Sequence, residues 1–194
     1  MQSFSALKTK SATLKASSAT PNYNGLVKVD GEWGYYKNGV LDTSFVGMAP
    51  NAYNWWYIKN GRIDTTYTGM AQNQYGWWYI KKGELDRTYT GMANGTGGWM
   101  YVSYGKLDTT YTGMAKNEYG WWYIKNGKLD RTYTGMAYSP EGWMYAKNGK
   151  LDTSYNGMAT NKWGTWKMKN GRVDLTYKQS KNYLIYPTKV MNIS

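Results

Sequence analysis

The tripeptide Gly-Met-Ala recurs on a fixed period, its methionines being Met48, Met70, Met92, Met114, Met136 and Met158, with every interval 22 residues and no slip. An aspartate keeps the same period through Asp42, Asp64, Asp86, Asp108, Asp130, Asp152 and Asp174. An aromatic three residues later does so through Phe45, Tyr67, Tyr89, Tyr111, Tyr133, Tyr155 and Tyr177. Self-similarity at this period means a unit too small to bury its own apolar face, which must stack on its neighbours in a quasi-one-dimensional array. The fullest copy reads YTGMAKNEYGWWYIKNGKLDRT over 111–132. The register reaches back to a degenerate copy holding Tyr23, Gly25 and Trp33, and it breaks after Tyr177, where Leu184, Ile185, Tyr186, Pro187 and Val190 replace the Gly-rich signature. The chain therefore divides into a basic polar N-terminal arm or linker (1–22), a repeat array (23–177) and a C-terminal cap (178–194), with atypical end units sealing the array.

Within a unit, Trp-Trp-Tyr-Ile-Lys is a β-favouring run, and the Asn-Gly after it tolerates the positive φ angles of a type I′ turn. With Asn126-Gly127 as the two-residue loop, Ile124 opposes Leu129. Trp122 and Ile124 then share one face, and Trp121 and Tyr123 the other. The second tryptophan becomes Met100 and Met144 in two copies, which marks an apolar, adaptable slot between packed hairpins. Tyr119-Gly120 marks a second turn, and Gly113 opens the stretch between the two. The expected fold is all-β, a tandem β-hairpin solenoid of about seven 22-residue units with no appreciable helix, because a lone hairpin is marginal in water.

Composition narrows the function. Two phenylalanines stand against 21 tyrosines and 11 tryptophans, so polar-tipped rings do the packing, as suits a thin structure in which every residue lies near the surface. With no histidine and no cysteine, the usual nucleophile-base pairs, thiolate metal sites and disulfides are absent. Carboxylates remain, but one aspartate per unit is a hydrogen-bond acceptor at a hairpin end rather than a localised acid-base pair, and it is too few oxygens for calcium. The expectation is a protein that is not an enzyme, with no catalytic residue, no cofactor and no metal. No stretch has the apolar length of a membrane span.

The run GWWYIKNGKLD followed by YTGMA resembles the cell-wall-binding repeats of bacterial surface proteins and lytic enzymes, the choline-binding and glucan-binding repeat family, over roughly residues 23 to 177. Trp121, Trp122 and Tyr123 match its aromatic triplet, Asn126-Gly127 its turn, Leu129 its apolar residue, and Thr112-Gly113 its Thr-Gly. This version departs in placing Met114, Met136 and their equivalents where the family pattern has Trp, and its Asp-x-x-Tyr segment lengthens the unit to 22. VKVDGEWGYYKNG is also similar to the Trp-Gly β-repeats of bacterial proteins, and Tyr-x-Gly with NG turns resembles membrane-occupation repeats. All three share a hairpin-array architecture.

The resemblance implies ligand sites between consecutive hairpins, where ring faces cage a quaternary ammonium or stack on sugars. The candidate ligand-binding residues are Trp55, Trp77, Trp99, Trp121 and Trp143; Tyr57, Tyr79, Tyr101, Tyr123 and Tyr145; Tyr67, Tyr89, Tyr111, Tyr133 and Tyr155; and Met70, Met92, Met114 and Met136. The same rings serve equally as inter-repeat core. The leading expectation is a non-catalytic module that attaches to a bacterial cell-wall polymer or other glycan by repeated weak sites, outside the cell or at its surface. The alternative is a structural or assembly protein, such as a surface spacer, fibre or phage-particle decoration subunit, joined through its N-terminal arm or C-terminal cap. A formal charge of +12 fits an anionic, teichoic-acid-like polymer and equally keeps an aromatic array soluble. Nucleic acid ranks low as a partner. Lys59, Lys125, Lys128, Lys147 and Lys150 sit beside the NG turns, where lysines commonly discourage edge pairing.

Overall fold

The computed structural model describes residues 22–177. The expected arm, but for its last residue, and the expected cap at 178–194 lie outside the described residues. Within them the chain forms 21 strands and no helix, as seven successive three-stranded meanders on the 22-residue period. The all-β hairpin array expected from the repeat is the observed architecture, and the degenerate first copy folds as the others do, over Gly25–Val29, Glu32–Lys37 and Val40–Leu41.

The fifth unit shows the local logic. Gly113–Asn117 runs antiparallel to Gly120–Lys125, from Gly113 opposite Ile124 to Asn117 opposite Gly120. The middle strand then turns through Asn126 and Gly127 into the two-residue strand Lys128–Leu129, with Ile124 opposite Leu129 as expected. Both turn residues have positive φ, 50° and 76°, the geometry that matches the right-handed twist of the flanking strands. Lys82 and Tyr104 adopt the same backbone where other units have Asn. One element differs from the sequence reading. The stretch opening at Gly113, read as a connection, is a strand and makes the longer ladder of the unit. Gly, Ala, Lys and Asn carry little strand propensity, so Gly-Met-Ala-Lys-Asn is a strand because the aromatic strand beside it supplies the pairing.

After the third strand, Asp130 closes an Asx turn. Its Oδ1 accepts the Thr132 N–H at 2.8 Å and the Thr132 hydroxyl at 2.6 Å. These bonds, made to the ionised form, hold the Asp130 carboxyl below the usual aspartate range, with Lys125 adding to the effect and partial desolvation opposing it. Asp42, Asp64, Asp86, Asp152 and Asp174 are lowered in the same way by the Ser or Thr two residues on.

Units join through their Gly turns. Gly149 of the sixth unit accepts the N–H of Tyr123 in the fifth at 2.7 Å, and its own N–H donates at 2.7 Å to the carbonyl of Tyr133 at the start of its own unit, so the glycine ties both units to one turn. The donation recurs from Tyr57 to Gly83, Tyr79 to Gly105, Tyr101 to Gly127 and Tyr145 to Gly171, at 2.8 Å each. The third strand of the later unit also pairs with the middle strand of the earlier one, as Lys150 does with Trp122.

The core lies between units. Met114, Trp121 and Tyr123 of the fifth unit pack with Ala137, Met144 and Ala146 of the sixth, and Tyr133 and Leu151 close the sides. On its opposite face the fifth unit sets Ala115, Ile124, Trp122 and Leu129 against Met92, Trp99 and Tyr101 of the fourth. The two faces inferred from alternation are thus both buried, each against a different neighbour. Met100 and Met144, in the slot where other units have the second Trp, are fully buried at 0% exposure.

Gly83 has φ +80°, and a Cβ there would lie 2.6 Å from the Asp64 carbonyl oxygen of the preceding unit. Gly31 has φ +87° with open space around it. Gly83→Ala is expected to lower unfolding free energy by about 2 kcal/mol or more, against about 1 kcal/mol for Gly31→Ala, which meets only the left-handed backbone cost. Denaturant titration of the two variants checks the difference. A second expectation concerns acid. Unfolded aspartate titrates near about 3.9, and the folded values lie lower, so this contribution is complete above that pH and is lost as the pH falls through the folded values. Thermal midpoints followed downward from about pH 5 should drop across that window.

Candidate functional site

A ligand needs ring faces that the fold leaves open, and most of the candidate rings are closed by their own neighbours. In the first six units the middle-strand tyrosine stacks on the aromatic ring ten residues later, and the seventh has Lys167 in its place. Tyr57 pairs so with Tyr67, Tyr101 with Tyr111 and Tyr123 with Tyr133, each with centroids 3.7 Å apart. Tyr79 pairs with Tyr89 at 3.9 Å, Tyr145 with Tyr155 at 3.8 Å, and in the first two units Tyr35 with Phe45 at 3.7 Å. The outer tyrosine of each pair is tied at its far end, since the Tyr111 hydroxyl donates to the Met114 carbonyl at 2.7 Å and Tyr67, Tyr89, Tyr133 and Tyr155 repeat the bond. Tyr123 is 8% exposed, and the other candidate tyrosines are half-buried.

Met70, Met92, Met114 and Met136 are buried between units. A thioether there packs against the Trp and Tyr of its own unit and the Ala of the next, as Met114 does with Trp121, Tyr123 and Ala137.

The first tryptophan of the middle strand is the variable element, because its outer edge meets whatever the next unit places one residue before its middle-strand glycine. Tyr75 stands there for Trp55, with ring centroids 5.9 Å apart at 88°, and Tyr119 stands there for Trp99, at 6.1 Å and 80°. Tyr75 and Tyr119 are 63% and 64% exposed, so each pair forms an aromatic corner with one wall in solvent. For Trp77 the position is Gly97, whose Cβ would lie 3.2 Å from the indole. For Trp121 it is Glu141, which pairs with Arg172 at 3.0 Å, and the Arg172 guanidinium lies 5.8 Å from the Trp121 ring. That ion pair roofs the indole, which is only 9% exposed. Trp143 meets Tyr138 of its own unit edge-on at 5.5 Å, and the next-unit position is the exposed Trp163.

Two of the second tryptophans, Trp78 and Trp122, carry resident cations. Lys106 Nζ lies 5.1 Å from the Trp78 ring centroid, while Arg131 Cζ and Lys150 Nζ lie 4.9 and 5.0 Å from that of Trp122. A ring face already facing a protein cation is a poor place for a cationic ligand. Trp78 and Trp122 are further fixed by Nε1–H bonds of 3.1 Å to Asn73 and Asn117.

Tyr75 and Tyr119 are the residues that sequence reasoning passed over, having read them only as turn markers. Their signal was present. In a repeat that barely varies, this position runs Tyr53, Tyr75, Gly97, Tyr119, Glu141 and Trp163, and such variation belongs to a side chain that the stacking does not fix.

Buried phenols give the joint an alkaline signature. Burial raises the hydroxyls of Tyr67, Tyr79, Tyr89, Tyr101, Tyr123 and Tyr133, and that of Tyr111 to about 12, with nearby carboxylates or phenols adding to the effect. Unfolded tyrosine titrates near about 10, so the stabilisation by neutral phenols is complete below that pH and is lost as the pH rises through the raised folded values. Tyrosinate absorbance and circular dichroism, followed together, should show the β signal collapsing as this class ionises. Collapse before any tyrosinate forms would contradict the assignment.

The family model described as a choline-binding repeat matches residues 22–42, 44–64, 66–86 and 110–130, which are the first, second, third and fifth units. No curated protein matches the sequence. Among solved structures, the chain is similar to CbpJ from Streptococcus pneumoniae TIGR4, with 25% identity, 74% of this chain and 48% of that chain covered, and a TM-score of 0.30. It is similar also to choline binding protein F from Streptococcus pneumoniae in the presence of a peptidoglycan analogue (tetrasaccharide-pentapeptide), with 19% identity, 78% and 52% covered, and a TM-score of 0.28. The chain spans about half the length of these proteins.

Proposed function

We propose, from the match of four of the seven units to a choline-binding repeat model, that this chain is a non-catalytic module that attaches to bacterial cell-wall polymer outside the cell or at its surface. Its ligand groups would seat in the corners Trp55/Tyr75 and Trp99/Tyr119. The open corner carries this reading, because the indole edge is backed by the inter-unit core while the phenol wall stands in solvent. A quaternary ammonium such as choline suits such a corner. Its diffuse charge is attracted by both ring faces, for about 0.5–1 kcal/mol per exposed ring and about 2 kcal/mol where water is excluded. A sugar ring would use the same faces by stacking. Each site alone is weak, and two on one rigid array gain by avidity on a polymer that repeats its group.

The burial of the candidate methionines and the stacking of the candidate tyrosines favour the assembly reading to this extent: most of the rings named from the sequence are joint rather than site. The two readings part on the exposed corners. Choline is expected to give a saturable, salt-resistant change in tryptophan fluorescence. The double substitution Tyr75→Ala/Tyr119→Ala should weaken it at least about tenfold with the thermal midpoint retained, since a lost ring wall is worth on the order of 1–2 kcal/mol. Silence with choline, soluble glucans and purified wall fragments alike would sink the proposal and leave the structural role.

A further inference from the structure

Five Asn-Gly steps of this array form the two-residue turns after the middle strands, at Asn38, Asn60, Asn126, Asn148 and Asn170, with each asparagine exposed and held at a φ between 50° and 53°. Such a step carries a reaction of its own. The glycine nitrogen has no neighbouring Cβ to shield it, and it can close a five-membered ring on the asparagine side-chain carbonyl. Ring closure requires the turn to leave its native geometry, so the bonds that hold the turn set the rate.

Two hydrogen bonds hold these turns. The glycine N–H donates to the carbonyl of the aromatic residue that opens the unit, at 2.9 Å for Gly39, Gly127 and Gly171 and at 2.7 Å for Gly149. The asparagine N–H donates to a side-chain oxygen 14 residues earlier, from Asn38 to Asn24 and from Asn170 to Asn156 at 3.0 Å, and from Asn126 to Thr112 and Asn148 to Thr134 at 3.1 Å. The second unit is the exception on both counts. Val46 stands where the others have Thr or Asn and offers no side-chain acceptor to the Asn60 N–H. The Gly61 N–H meets the Phe45 carbonyl only at 3.5 Å, beyond the ordinary range for such a bond.

We infer that Asn60 is a modification site, the turn at which this array deamidates ahead of the other four, independently of what the aromatic corners bind. The Gly61 nitrogen gives its proton to solvent base and attacks Asn60 Cγ. The N–Cγ bond forms as the Cγ–Nδ2 bond breaks, and ammonia leaves. Water then opens the succinimide at either carbonyl, giving aspartate or, where the chain now runs through Cβ, isoaspartate. Water enters, ammonia departs, nothing is oxidised or reduced, and a neutral side chain becomes a carboxylate. Isoaspartate lengthens the backbone inside a turn whose Gly61 carbonyl accepts the Tyr35 N–H at 2.8 Å, the bond that ties the second unit to the first. Deamidation here therefore loosens that boundary and leaves the later ones intact.

The test follows the full chain during incubation at mildly alkaline pH. Chymotryptic peptides separate the five turns, and chromatography with mass measurement resolves the native, aspartyl and isoaspartyl forms of each. Asn60 is expected to convert at least about fivefold faster than the other four, the ratio that one lost hydrogen bond of ordinary net strength gives. In denaturant the five should convert at similar rates, because each is then a Lys-Asn-Gly segment. Val46→Thr, at a position already exposed, should slow Asn60 several-fold, and Thr112→Val should speed Asn126 to the same degree. Equal rates at the five turns of the folded chain would overturn the proposal, as would an Asn60 excess that persists in denaturant. An Asn60 rate unchanged by Val46→Thr would overturn it as well.

Discussion

Everything in this array hangs on one backbone exchange: after the first unit, each turn glycine accepts at its carbonyl from a tyrosine of the preceding unit and donates its N–H to the aromatic residue that opens its own. A three-stranded meander with a two-residue third strand has no interior of its own. Only when Gly149 accepts from Tyr123 and donates to Tyr133 do the two tyrosines come to the separation at which their rings stack. That stack, with Met114 and Trp121, makes the wall on which Ala137, Met144 and Ala146 settle. Hydrogen bonding fixes the register, and apolar burial supplies the free energy. Each is weak without the other, since the amide groups must be paired before the rings around them can exclude water.

Much of this was legible in the residues. The strict period announced stacking, Asn126-Gly127 announced the type I′ turn, and the exchange of Trp122 for Met100 and Met144 announced a packed slot. The Gly-Met-Ala strand was hidden, because its residues have no strand preference and the pairing comes from the neighbour. The candidate site was less legible than the fold. Aromatic identity says that a ring is large and polar-tipped, not which face it shows. Trp55 and Trp121 occupy the same place in the sequence unit, yet one borders solvent beside Tyr75 while the other lies under the Arg172–Glu141 pair. That outcome is decided by residues 20 and more positions away, in the next unit, where a single-unit reading does not look.

The methionine of Gly-Met-Ala likewise has a structural reason to stand where it does. Its slot is bounded by the stacked tyrosine pair, by the first tryptophan of its own unit and by the alanine of the next, with no exposed face left at Met70 and Met114. An unbranched thioether threads such a gap, whereas an indole would need the alanine and the ring pair to give way.

The joint has the same parts at five of the six boundaries among the described residues: methionine, tryptophan and paired tyrosines from one side, and alanine, the second-strand residue and an aliphatic from the other, while the first boundary has Leu26 and Phe45 instead of the methionine and outer tyrosine. Within those five, its composition does not depend on which copy supplies either half. In-frame loss or gain of 22 residues, begun at any phase, therefore rebuilds a sound joint. Chain length can drift by recombination between near-identical copies at little cost to folding, and what such drift changes is the order in which open and roofed corners follow one another.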